Sequence, residues 1–366
     1  MGACRTGGNQ SVSQLAHMWC RPDGTQMHEL PVIRQSERVD FKRCMKKWFW
    51  RWRMGLVPKK QEYGALLLGT WMHTALEWRY THIDRRNRTL VDWFDLASRN
   101  GLNEARAANI PDFELQKAQG LRTLGLGMAK GYDRKYGDDN DIRPIGAEIP
   151  LEYDIVDTDG SLLARHRLKP DLLYRNPQNE IWLLENKTAK QIALEHLPID
   201  DQARGYAAMS EKALRDAGYL RRNEHVKGVM YNFLRKIMPD DRPTNEKGQA
   251  LNKDGSVSKT QRVPEFVRHP VVLGAPAKRQ ALQHIHREAI FITGLTRDLR
   301  NRRTAPEDLM KTPHKNCPKL CEYFTMCVVE EQGGDIKDMQ RSMYVRRNPY
   351  EYEQDTADVP VSFDLA

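Results

Sequence analysis

No stretch of about 18 apolar residues occurs in the 366-residue chain, so the sequence offers no helix able to span a bilayer. Its N-terminus also lacks the apolar core of a signal peptide. Both absences predict a soluble, cytoplasmic protein with no membrane partner. Cysteine is scarce, with six residues in all, and inside a cell those six should be thiols or metal ligands rather than disulfides. Acidic balance is missing too. Fifty-eight Lys and Arg stand against 49 Asp and Glu, a net charge of +9, which favours a polyanionic partner, nucleic acid before an anionic membrane. The hydrophobic content of 40% suffices for a substantial core.

What is present centres on residues 168–190, LKPDLLYRNPQNEIWLLENKTAK. Two short apolar runs, Leu168 to Tyr174 and Ile181 to Lys187, flank a polar, turn-rich linker and predict a β-hairpin. Side chains on a strand alternate faces, so Glu185 and Lys187 share one side while Leu184 and Asn186 point to the other. The hairpin can bring Asp171 beside Glu185, and two adjacent carboxylates repel unless a hard cation such as Mg²⁺ or Mn²⁺ neutralises them. A lysine beside that cation can hold a phosphate oxygen during in-line attack on a phosphodiester. Exposed Asp, Glu and Lys on strands ordinarily form a solvated face. Here the runs around them are apolar enough for a buried sheet, where unpaired charge is costly and tends to be functional.

Along the chain, residues 1–30 have little periodicity and read as a flexible leader containing Cys4 and Cys20. From Ser36 a basic helix carries Phe41, Cys44, Trp48 and Trp52 as an apolar stripe. Glu62 to Tyr80 reads as a helix with His73 and Glu77 on one face. Two further helices follow over Leu90 to Ala107 and Phe113 to Tyr136. Ala147 to Val156 and Leu162 to Tyr174 read as strands around the turn Asp157-Thr158-Asp159-Gly160, with Glu148, near the start of the first, a candidate further acid for the site. Ile199 to Ala217 predicts a helix, His225 to Phe233 a strand, Asp240 to Arg262 a long mobile insertion, and Ala277 to Arg303 an amphipathic helix with an arginine-rich outer face. Beyond Arg347 the tail has acidic residues but no Lys or Arg.

Cys317-x₃-Cys321-x₅-Cys327 gathers three thiols in one short segment, and a closed site needs a fourth ligand, for which Cys44 is the candidate. Soft thiolates select Zn²⁺ or an iron–sulfur cluster, and the chemistry alone leaves both open.

Taken together, Pro170-Asp171-x₁₃-Glu185-x-Lys187 resembles the signature of the PD-(D/E)XK nucleases in their RecB-like branch. Gly69-x₃-His73 resembles that branch's G-x-x-x-H helix motif, and Gln202-x₃-Tyr206 its Q-x-x-x-Y motif. The four cysteines resemble the iron–sulfur clasp of CRISPR-associated and helicase-linked RecB-like exonucleases. There are two departures: the first two cysteines of the trio are separated by three residues where the family usually has two, and Leu168 stands where a Gly is usual. The resemblance implies an α/β, restriction-endonuclease-like αβββαβ core with a helical lobe and an iron–sulfur clasp joining the N- and C-terminal segments. It implies Mg²⁺ or Mn²⁺ held by His73, Asp171, Glu185 and the carbonyl of Asn186, with Lys187 catalytic and Gln202 and Tyr206 contacting DNA. A 4Fe–4S cluster on Cys44, Cys317, Cys321 and Cys327 is expected, with Zn²⁺ as the alternative. The expected activity is DNA hydrolysis by an exonuclease in recombination, repair or end processing, alongside a recombination or helicase partner. A flap or branch endonuclease and a non-catalytic DNA-binding protein are the alternatives. In this reading residues 31–330 form one nuclease domain: an N-terminal cysteine helix and lobe (31–142), a catalytic core (143–238), the insertion (239–265), and a long helix with the clasp (266–330). A tail follows over 331–366.

Overall fold

The computed structural model describes residues 31–59, 65–82 and 87–350. The leader with Cys4 and Cys20 and the acidic end of the tail lie outside the described residues. Along the chain run β1 (Val32–Arg34), α1 (Gln35–Arg43), β2 (Leu56–Pro58), α2 (Ala65–Thr81), α3 (Leu90–Ala107) and α4 (Asp112–Tyr136). Next come β3 (Arg143–Ala147), β4 (Leu151–Val156), β5 (Leu162–Leu168), β6 (Leu172–Arg175), β7 (Ile181–Ala189), α5 (Asp201–Asp216), β8 (Val226–Arg235) and β9 (Phe266–Val271). The chain continues through α6 (Ala275–Arg300), α7 (Phe324–Glu331), α8 (Lys337–Met343) and β10 (Tyr344–Arg346). Among the described residues, no helix is long and apolar enough to cross a membrane.

Internal contacts divide the molecule into two units. One comprises Glu62–Tyr153 and Leu168–Gln283. Its five-stranded sheet has the order β3-β6-β7-β8-β9. The β6–β7 hairpin is antiparallel, with Leu172 opposite Leu184, whereas β8 runs parallel to β7 and pairs Asn186 with Asn232. Parallel pairing needs a crossover, which α5 occupies. Helices α2, α3 and α4 cover the other face, where Leu76, Trp93, Phe94, Met128 and Tyr132 pack with Leu172, Leu184 and Leu234. Thr89 caps α3 through a reciprocal bond with Asp92, and Asp200 caps α5 by accepting from the N–H groups of Gln202 and Ala203.

The expected strand from Leu162 to Tyr174 is two strands in two sheets: β5 belongs to a small sheet of order β1-β5-β4, and β6 to the five-stranded one. The break falls at Lys169-Pro170-Asp171, where proline supplies no N–H for a ladder. Between β8 and β9 the chain folds into two successive tight turns, bridged at Thr244 to Ala250 and Leu251 to Val257, with Gly248 and Gly255 supplying the positive φ each turn requires.

The second unit comprises Met1–Gln61, Asp154–Arg167 and His284–Ala366. Its tryptophan stripe is buried as the periodicity indicates, with Trp48 fully enclosed and its indole N–H donating to Glu37 at 3.0 Å. Charged groups compensate one another here: Arg53 pairs with Glu37, and Arg38 with Glu288 at 2.5 Å. The expected single helix from Ser36 is interrupted at Cys44, whose backbone is extended (φ −165°) between α1 and a helical turn at Met45–Trp48.

Candidate active site

The hairpin puts Asp171, one residue outside β6, beside Glu185 on β7. Asp171 Oδ2 accepts the backbone N–H of Asn186 at 2.6 Å and lies 3.4 Å from His73 Nδ1. His73 comes from the middle of α2. That helix can approach the end of β7 because of Gly69, where an added Cβ would sit 3.1 Å from Thr188 Oγ1. Glu148 completes the group: ligand atoms of His73, Glu148 and Asp171 all lie within 4.8 Å of one another. The Glu148 backbone has φ +50°, a conformation a non-glycine residue rarely adopts. It is tied down by its N–H donating to the Asp171 carbonyl at 3.1 Å and by its carboxylate pairing with Lys169 at 2.5 Å.

Glu185 is buried, at 4% exposure. Its Oε1 accepts from Lys187 Nζ at 2.7 Å and from Gln202 Nε2 at 2.7 Å, while Gln202 Oε1 accepts a second Lys187 hydrogen at 2.9 Å. Its other oxygen, Oε2, is buried with no hydrogen-bond partner. An orphaned carboxylate oxygen is costly in a protein interior. Burial, reinforced by the charge of Asp171, pushes the Glu185 carboxyl up to about 7 against the pull of Lys187. Burial also disfavours charge on Asp171, but His73, the Asn186 N–H and Lys187 outweigh it and hold that carboxyl below its usual range. Two neighbouring acids driven apart in this way, with an empty coordination direction on the buried one, fit a divalent cation.

The residues expected at the acidic site are therefore gathered in one unit. Asn186 points to the opposite face, as alternation requires, and is buried at 3% exposure. Gln202 and Tyr206, expected as DNA contacts, are turned inward: Gln202 bridges Glu185 and Lys187, and the Tyr206 hydroxyl donates to the Lys169 carbonyl at 3.1 Å. Two residues that sequence reasoning did not place at the site support it from behind. Asp200 Oδ1 caps α5 and also accepts the Tyr231 hydroxyl at 2.9 Å, fixing the helix turn that carries Gln202. A helix-capping Asp two residues before the Gln was the available signal.

In the other unit, Cys44, Cys317, Cys321 and Cys327 are all half-buried free thiols. Lys46 draws the first segment to the others. Its N–H donates to the Met310 carbonyl at 3.4 Å, its ammonium to the Pro306 carbonyl at 2.8 Å, and it pairs with Glu330 at 2.7 Å. Burial pushes the Cys321 and Cys327 thiols up, Cys317 adding to the first and Cys44 to the second.

The sequence matches the PD-(D/E)XK nuclease superfamily over residues 35–328, most of the chain. The chain belongs to that superfamily. That membership supports a nuclease. Among solved structures, one similar chain is a candidate exonuclease from Eubacterium rectale, 12% identical, covering 90% of this chain and 99% of that one at a TM-score of 0.40. Another is SSO0001, 10% identical, covering 78% and 87% at a TM-score of 0.28. No curated protein matches. The assignment rests on the superfamily match together with the Asp171–Glu185–Lys187 constellation.

Proposed function

We propose that this nuclease is a divalent-metal-dependent deoxyribonuclease that degrades DNA from its ends. The observation that carries the reading is the buried, unpartnered Glu185 Oε2, set beside Asp171 in a cluster with His73 and Glu148. His73, Asp171, Glu185 and the Asn186 carbonyl would hold Mg²⁺ or Mn²⁺, with Glu148 as a further carboxylate. When bound, such a cation lowers the pKa of water and neutralises charge on phosphoryl oxygens. The chain's own groups supply the remainder. Lys187, steered by Glu185 and Gln202, offers its ammonium to a phosphate oxygen and stabilises the charge that builds during displacement. Gln202 fixes the separation of Lys187 and Glu185, and Tyr206 fixes the backbone leading into Asp171. Net positive charge spreads phosphate affinity over many Lys and Arg residues.

For the four thiols we propose a 4Fe–4S cluster, with Zn²⁺ as the alternative occupant, holding the N- and C-terminal segments of the smaller unit together. The cellular setting would be recombination, repair or DNA-end processing beside a helicase or recombination partner.

The test is incubation of the purified protein with Mn²⁺ and end-labelled single-stranded, duplex and covalently closed circular DNA. Release of end label with intact circles is the expected result. Nicked or linearised circles would establish the flap or branch endonuclease, and binding without cleavage would leave a non-catalytic DNA-binding protein.

A further inference from the structure

Between Glu185 and Lys187, Asn186 sends its side chain into the face of the sheet that α2, α3 and α4 cover. Its neighbours on that face are Leu172, Leu184 and Leu234. An amide is expensive there unless it is hydrogen-bonded. The compensating group is on the next strand: Asn232, with no exposed surface, is the register partner of Asn186 and donates from Nδ2 to Asn186 Oδ1 at 2.8 Å, while its own Oδ1 is buried without a partner.

The same Nδ2 reaches the Tyr132 hydroxyl on α4 at 3.1 Å. That hydroxyl also accepts from Arg268 at 2.7 Å, and Arg268 pairs with Asp139 at 2.6 Å. Asp139 in turn accepts the Tyr80 hydroxyl of α2 at 2.6 Å. A continuous polar chain therefore crosses the apolar lobe and ends on one side chain between the two catalytic residues. At its other end, the Asn186 backbone N–H holds the Asp171 carboxylate at 2.6 Å.

We infer that Asn232 is a positioning residue: by gripping the Asn186 amide it fixes the rotation of that peptide, and with it Asp171 and the directions of Glu185 and Lys187. The inference rests on the nuclease reading above. An apolar residue facing the lobe would pack as well as Asn186 but would leave the peptide free to twist about the strand axis. Misplacement by about 1 Å at a catalytic centre costs about 100-fold in rate, so loosening one peptide should cost about tenfold.

Leucine has the same branching as asparagine and no polar atoms, which allows packing and positioning to be separated. Asn186→Leu and Asn232→Leu each remove one half of the pair and should lower both Tm and kcat. The double variant leaves neither amide without its partner, so Tm should return towards wild type. Its kcat should remain about tenfold down with KM for DNA unchanged. Recovery of kcat together with Tm, or a wild-type kcat in Asn232→Leu, would overturn the inference. Should the double variant fail to fold, Tyr132→Phe decides, since it removes a single oxygen from the next link. A two- to threefold fall in kcat at constant KM, on the order expected for a slight loosening, supports positioning, and an unchanged kcat removes it. Wild type and Glu185→Ala run alongside: an inactive wild type sinks the nuclease reading itself, whereas an active wild type with an unaffected Asn232→Leu sinks only the positioning.

Discussion

The acidic centre and the cysteine region are assembled by different means. In the acidic centre every group sits on or beside a regular element and is held by its neighbours: Gln202 bridges Glu185 and Lys187, and the Asn186 N–H holds Asp171. The cysteine region is more loosely built: Cys327 sits in α7 and Cys317 opens a single helical turn, but Cys44 lies in a break between helical segments and the Cys317 sulfur accepts the His314 N–H at 3.3 Å. The segments are drawn together by buried charge, chiefly Lys46 with Glu330. One centre is preorganised by the fold, and on the proposed reading its ion would serve chemistry. In the other, an ion or cluster held by the four thiols, as proposed, would contribute to folding itself.

The contrast breaks most visibly at the carboxylates. Asp171→Ala and Glu185→Ala should nearly abolish cleavage while leaving Tm and DNA binding close to wild type, because the removed groups serve the ion. Lys187→Ala comes next. It keeps both carboxylates and so should keep Mn²⁺ binding, but removing one electrostatic donor at a reacting phosphate should cost about 10²- to 10³-fold in rate. Single-turnover cleavage and Mn²⁺ titration on the same preparations check both. If Lys187→Ala cuts DNA at the wild-type rate, the hairpin is not the catalytic centre.

At the cysteines the effect should be on stability. EDTA should stop cleavage without unfolding the protein. Cys44→Ser should lose brown colour, iron and acid-labile sulfide from anaerobic preparations and lower the Tm, whereas Cys4→Ser and Cys20→Ser should do neither. Stoichiometric zinc without sulfide would replace the cluster and keep the clasp.

How much of this was legible depends on whether the signal was local. Periodicity located α3 to the residue, and strand alternation placed Glu185 and Lys187 on one side with Asn186 on the other. The paired Asp171 and Glu185 followed from hairpin logic. The interruption at Cys44 did not, since the hydrophobic stripe runs through it unbroken. Nor did the division of β5 from β6, although Pro170 marks the place. Glu148 was named from its place near a strand start as a further acid for the site, but the positive φ and the bond to the Asp171 carbonyl that hold it there are not encoded in composition. The Asn186–Asn232 pair joins residues 46 apart and depends on the register of two parallel strands. Gln202 and Tyr206 were named by motif, but their bonds to Glu185, Lys187 and the Lys169 carbonyl depend on how α5 packs against the sheet.

The smallest expected effect concerns protons at the acidic centre, where preorganisation has a measurable cost. Without metal, burial and the charge of Asp171 raise the Glu185 carboxyl from 4.5 to about 7. A cation takes the ionised form, so below about pH 7 it must displace a proton, and Mn²⁺ affinity should fall by up to about tenfold per unit as the pH drops. Burial opposes the charge on His73, but Asp171 and Glu185 outweigh it and raise its pKa, so His73 adds to the protons released. The sign for stability follows from the same shift. Between about 4.5 and 7 the folded, metal-free protein holds more protons at Glu185 than the unfolded chain. This contribution to stability therefore declines as pH rises through that window and is level above it. Calorimetry of Mn²⁺ binding in two buffers of different ionisation enthalpy should show more protons released at pH 6 than at pH 8, and Glu185→Gln should abolish the part due to Glu185 and lessen that of His73, whose pKa Glu185 helps to raise. Equal release at both pH values, or an unchanged release in Glu185→Gln, would mean that the cation does not use the Glu185 carboxylate, and the orphaned Oε2 would need another partner.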